Sequence, residues 1–407
     1  MKRLKKTVRE KNRKIPVEIA APQNDYYEAV SYRFGLAQVF LYLFLLAFVS
    51  VSLLMNTELI TYHNLYYFVK DLNATTENVD VLHSDSVTYP TDATQSFALY
   101  RQGLAVAGNT TVTVFTPSGR QTISKNVQYQ NPVAVGTGKY LLVYELDGTR
   151  YSLYNSYTQI HSGKTTTPIR GATMSDCGMY AIVTEEPQYP SVVELYSSDF
   201  ELLNQYRYNS YVTDVAIDQR GHYLSVLTSQ AENGAFASYL KVYEPKKDKL
   251  FSECKLSDSL GLRCGFTDSG KVSVLCGNGV YYASVDGKLI TDVSFNGQSL
   301  VAFDMTADGC VAVLQKSGTD LQNPVIAFNE DGELIHEGFA DQTVQSVVLC
   351  GKSVLFVHSD GITKRNCSNG EENFLTCETE GRVLLALKDG RILLCSPQKA
   401  VYYKFES

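Results

Sequence analysis

Ten residues, MSDCGMYAIV (174–183), decide the fold, because the same text returns as IDQRGHYLSV (217–226), FTDSGKVSVL (266–275) and MTADGCVAVL (305–314). Each copy reads as a strand end, a polar turn closing on Gly, and an apolar, β-branched strand. Weaker copies stand at RQGLAVAG (101–108), GTGKYLLV (136–143), LCGKSVLF (349–356) and KDGRILLC (388–395). The turn glycines are Gly103, Gly138, Gly178, Gly221, Gly270, Gly309, Gly351 and Gly390, with an average spacing of 41 residues. Glycine suits such turns because a tight antiparallel connection commonly needs positive φ.

A third strand follows each pair, as in VVELY (192–196), YLKVYE (239–244) and PVIAFN (324–329). A second turn (PSG 117–119, VDG 285–287, EDG 330–332) then leads to a fourth strand such as KLITDVSF (288–295). Four short strands per 41 residues is the pattern of a propeller blade. Eight such periods need 328 residues, and 79–405 supplies 327. The spacing therefore predicts an all-β, eight-bladed β-propeller, with seven blades disfavoured. The last repeat stops after its third strand, AVYYKF (400–405), so VDVLHSDSVTYP (79–90) is expected to supply the fourth and close the ring. A β-sandwich also has many short strands but predicts no such period.

N-terminal to the repeats lies a different chemistry. From Phe34 to Met55 no residue is charged over 22 positions, a helix of about 33 Å against a hydrocarbon core of roughly 30 Å. Residues 1–33 carry nine Lys/Arg and four acids, whereas the only Lys/Arg in 56–79 is Lys70. The positive-inside rule puts the 1–33 tail in the cytoplasm and the C-terminal domain outside the cell membrane. The apolar run exceeds a secretory h-region and no small-residue cleavage site follows, so 34–55 reads as a retained signal-anchor in the lipid bilayer. Residues 56–78 read as a stalk, helical at first and then the polar linker NATTEN (73–78), and 79–407 as the propeller. Of the 36 Lys/Arg and 43 Asp/Glu, 27 and 39 fall in 34–407, a net charge of −12. Such a body is unsuited to nucleic acid, whose binding rests on Lys/Arg neutralising phosphate.

Catalytic and cofactor strings are missing from the text. The chain has 28 Tyr and no Trp, which disfavours quinone-dependent propeller dehydrogenases, WD repeats and sialidase Asp-boxes. The six His show no metal spacing, and ADG and EDG lack the repeated carboxylates of a calcium loop. No metal, cofactor or catalytic residue is therefore assigned. The nine Cys contain no CxxC; most are expected as free, buried thiols, with Cys367–Cys377 the one pair placed to bridge across a hairpin.

Strand-two-to-three connections share a face with the inter-blade links. Three of them look long: TEEPQYPS (184–191), TSQAENGAFAS (228–238) and QKSGTDLQNP (315–324). With the link bearing Tyr206, Tyr208, Asn209 and Tyr211, the first two mark a candidate contact surface of Glu185, Glu186, Tyr189, Tyr208, Tyr211, Glu232, Asn233 and Phe236. Loop length varies freely and Tyr also suits strands, so the residues serve a surface or a core equally well at this stage.

The basic tail, the span at 34–55 and the Trp-free repeats with DG turns resemble a family of uncharacterised bacterial single-pass membrane proteins. These carry an extracytoplasmic propeller and are common in anaerobic Firmicutes. The resemblance implies a cell-surface location and brings no catalytic residues. The expected role is a binding or scaffold module for an envelope protein, peptide or glycan. The alternative is a propeller hydrolase or lyase with its site in the central channel.

Overall fold

The computed structural model describes residues 25–55, 86–315, 322–377, 381, 383–388 and 390–405, which fall in two bodies divided after Ala74. The first holds a helix, α1 (Asp25–Met55). Its Tyr32–Val51 segment is long and apolar enough to cross a membrane, with none of it buried. The helix starts nine residues ahead of the expected span, because nothing in DYYEAVSYR (25–33) breaks it. The rest of the tail (1–24), the stalk (56–78), the 79–85 part of the closing segment and 316–321 of the third connection lie outside the described residues.

In the second body the described strands form eight four-stranded antiparallel sheets. Blades I to VII cover 95–126, 132–164, 171–208, 211–257, 261–294, 299–341 and 346–376, each in simple order a-b-c-d from the axis outward. Blade VIII takes strands a, b and c from Val383–Ala386, Arg391–Cys395 and Lys399–Lys404, and strand d from Ser86–Thr88. Its register is Ser86 with Val401, Val87 with Ala400 and Thr88 with Lys399. The closing strand is thus the one expected from 79–90.

Burial explains the sequence texture. The b strands Leu141–Glu145, Val272–Cys276 and Arg391–Cys395 are buried at every position, since neighbouring blades cover both faces. The outer strand Leu289–Ser294 is exposed at alternate positions toward its end, the half-buried pattern of an edge. The core is eight apolar clusters, one at each junction between successive blades. That between VIII and I joins Val87 and Tyr89 to Leu104, Val106, Phe115, Leu393 and Ala400. With no Trp available, Tyr fills the large core volumes: Tyr154, Tyr180 and Tyr282 are fully buried. Tyr180 stacks on Tyr196 with centroids 4.8 Å apart.

Polar side chains also tie one blade to the next. Ser96 Oγ accepts from the Ala134 N–H (3.1 Å). Ser191 Oγ does so from Val212 (2.9 Å), Asp214 Oδ2 from Cys264 (2.9 Å) and Asp304 Oδ2 from Leu349 (2.9 Å). Each bond satisfies an inner-strand N–H that has no ladder partner on its axial side.

Two expectations need correcting. Gly103 and Gly138 are not left-handed residues of their turns; ahead of Gly103, Arg101 and Gln102 take positive φ, and Gly103 is required because a Cβ there would sit 2.1 Å from the Phe115 carbonyl oxygen. All nine cysteines are free. Cys367 follows strand Gly361–Asn366 at the closed end of its hairpin. Cys377 follows Glu372–Thr376 at the open end, where Gly361 pairs with Thr376. Some five rungs lie between them, roughly 17 Å at strand rise, far beyond disulfide reach.

Val87 is 4% exposed and Thr88 is exposed on the same three-residue strand. Val87→Asp buries an unpaired charge at the ring closure and is expected to cost about 3 kcal/mol, whereas Thr88→Asp stays within about 0.5 kcal/mol. Urea unfolding of the two variants checks this, and equal midpoints would show that the closing strand contributes little.

Candidate functional site

The antiparallel order puts the b–c turns and the inter-blade links on one face, here the upper, and the a–b and c–d turns on the lower. The upper face carries the surface expected from the sequence. There 184–191 and 228–238 are extended hairpins rather than loops. Tyr180–Glu186 turns into Tyr189–Tyr196 through two residues. Leu224–Glu232 turns into Ala235–Glu244 through Asn233 and Gly234, both at positive φ, as a two-residue hairpin turn demands.

The acids on these hairpins are all paired. Arg170 bridges Glu185 (3.2 Å) and also bonds Asp147, while Arg207 holds Glu186 (2.9 Å) and keeps its carboxyl below the usual range. Glu232 accepts from Tyr239 Oη (2.7 Å) and Gln230 (2.7 Å) and faces Lys255 at 3.3 Å; the Tyr239 hydroxyl is the main cause of its lowered pKa. Tyr189 is half-buried. Tyr208 is a correction: at 5% exposure it belongs to the core between blades III and IV, edge-on to Tyr243 and beneath the Lys241 ammonium. Tyr206 packs 4.4 Å from Tyr243, and burial pushes its hydroxyl up to about 12.

Register divides what remains. Tyr211 pairs with Ser229 and Phe236 with Ala231, so both side chains lie on the face of blade IV whose inner residues Leu227 and Leu240 pack toward blade V. Glu232 lies on the opposite face, with Leu224 and Val226, which pack toward blade III. The structure therefore leaves Tyr211 (67% exposed) and Phe236 (54% exposed) on one face of blade IV, with strand Leu224–Glu232 between them, and separates them from Glu185, Glu186 and Tyr189.

A second feature, on the lower side, was not assigned from the sequence. The a–b turns and inner strands enclose the mouth of the axial channel, a cavity of about 820 Å³. Leu99, Val348, Leu384 and Leu385 line it, and Asp176, Asp268, Asp308 and Lys388 reach its rim. The signal was the acid in SDCG, TDSG and ADG, read only as turn chemistry. Among the described residues no three His, Cys, Asp or Glu side chains are grouped to hold a metal. Two further aspartates sit on inner strands: burial raises both Asp214 and Asp304, with Arg263 (4.0 Å) partly offsetting it at Asp214. Asp304 has only the N–H groups of Leu349 and Met305 to oppose it.

Eight closed blades around an axial channel define the class, a β-propeller. Residues 73–391 match the model of a family of unknown function (DUF5711), and the chain belongs to that family. Among solved structures, Sqt1 from Chaetomium thermophilum bound to the N-terminus of the ribosomal protein L10 is similar at 11% identity and TM-score 0.52, covering 80% of this chain and 98% of that one. BamB from Moraxella catarrhalis is similar at 12% identity and TM-score 0.52, covering 79% and 98%. At such identities the likeness is one of fold. A search of curated proteins finds no match.

Because burial lifts Asp304 above its unfolded value, the folded chain holds that proton more tightly. The stability this brings is full at low pH and is lost as pH rises through the raised value. Asp304→Asn keeps an acceptor for Leu349 without the charge. Its melting temperature at pH 7.5 is expected about 2 °C above the parent, the gap closing toward pH 4. A variant less stable at pH 7.5 would show that the carboxylate's hydrogen bonds outweigh its desolvation.

Proposed function

We propose that this chain is a membrane-anchored binding or scaffold module, displaying its propeller outside the cell to hold an envelope protein, peptide or glycan. The observation that carries the reading is the exposure of both Tyr211 and Phe236 on one face of blade IV. Rigid aromatic area at a low entropic cost is what recognition surfaces use. The paired carboxylates Glu185, Glu186 and Glu232, with Tyr189, lie toward blade III and stand apart from this aromatic surface. The Sqt1 structure, in which a propeller holds a protein's N-terminus, offers a precedent for the fold in this role. The apolar helix and the nine Lys/Arg ahead of it support the anchor and its orientation.

Two experiments test this. Protease added outside intact cells is expected to degrade the propeller and leave the tail; full protection would reverse the orientation. The detergent-solubilised full chain, incubated with solubilised envelope, is expected to retain one component in stoichiometric amount. The double variant Tyr211→Ala, Phe236→Ala should lose it by at least about tenfold, as for an aromatic hot spot. Retention unchanged by the double variant would remove this face from the interaction.

A further inference from the structure

We propose that the lower mouth of the channel is a second binding site, for a short linear peptide segment of amphipathic, zwitterionic character. Its volume of about 820 Å³ lies within the range of ligand pockets, roughly 300–1,000 Å³. The wall is apolar where blades I, VII and VIII contribute Leu99, Val348, Leu384 and Leu385. The rim is polarised. Among the described residues, Asp176, Asp268 and Asp308 come from blades III, V and VI, with Asp304 on the inner strand of blade VI, and the cations Arg101 and Lys388 come from the adjoining blades I and VIII; an eightfold ring sets blade VIII opposite blade IV.

That distribution selects the ligand. The three carboxylates stand on separate blades and do not converge as a metal site does, so an elongated organic cation matches them better than an ion. An apolar side chain fills the channel, a basic one meets the Asp sector, and a carboxylate meets Lys388. The rim is also fixed in advance. Gly138 N–H donates to Asp176 Oδ1 (2.7 Å), Gln219 Nε2 to Asp268 Oδ1 (2.8 Å) and Lys388 N–H to Gln102 Oε1 (2.8 Å), which lowers the ordering cost of binding. Thr306 also lines the cavity, with its Oγ1 buried away from solvent.

The site is independent of the upper-face reading. Its test is fluorescence anisotropy of the full chain in detergent, with labelled tetrapeptides Arg-x-x-Glu in which x is Leu, Ile, Val or Phe. Saturable binding is expected, weakened about tenfold by D176N/D268N/D308N and likewise by K388E. It should be unchanged by D199N/E201Q/D292N, which remove exposed acids elsewhere, and by the Tyr211, Phe236 double variant. No saturation below about 1 mM, or equal loss in both triple variants, overturns the proposal, the latter by showing general charge attraction. Unaltered melting of each variant confirms that the fold is intact.

Discussion

Every blade has two apolar faces and each must be covered by a neighbour, so the structure depends on the ring being closed. The b strands are buried on both sides, and eight separate clusters between blades replace a single central core. A gap at any junction would expose two sheet faces at once. Closure rests on three residues, Ser86–Thr88, drawn from the opposite end of the chain to seal blade VIII. Val87 inserts into the VIII–I cluster, and Tyr89 Oη donates to the Ser396 carbonyl at 2.6 Å. The dependence of a large body on a small seam follows from burying sheet faces rather than edges.

The period, the eight blades and the closing strand were legible because they rest on turn chemistry that a one-dimensional text preserves. Gly178, Gly221 and Gly270 mark their turns in the sequence as in space. What was hidden depends on side-chain direction. Tyr208 and Tyr211 lie three residues apart with the same local texture, yet one is core and the other surface. A bulge between Val212 and Asp214 shifts the alternation, and periodicity alone cannot reveal a bulge. Long polar connections likewise proved to be hairpins prolonged beyond the sheet, because Asn233–Gly234 turns the chain in two residues. The residues lining the channel mouth were hidden for another reason: they come from turns some 40 residues apart, and only the ring brings them together.

The two faces now differ in kind. The upper presents aromatic area and, apart from it, neutralised ion pairs, whose surface Coulomb energy is small but whose geometry keeps the hairpins in place. The lower presents an apolar funnel with a polarised rim on hydrogen-bonded turns. A chain with a net −12 beyond residue 33 repels anionic surfaces at long range, so local features such as Lys388 must supply any attraction for acidic groups.

Strand Ser86–Thr88 runs antiparallel to Lys399–Lys404 and begins on the lower side, so the chain enters the propeller at the strand that seals its ring. A load applied along that strand acts parallel to it and across hydrogen bonds that lie perpendicular to it. The rungs must then fail together in shear and cannot unzip singly. The seam is thus loaded in shear by a pull along Ser86–Thr88, the geometry in which a short strand resists separation best.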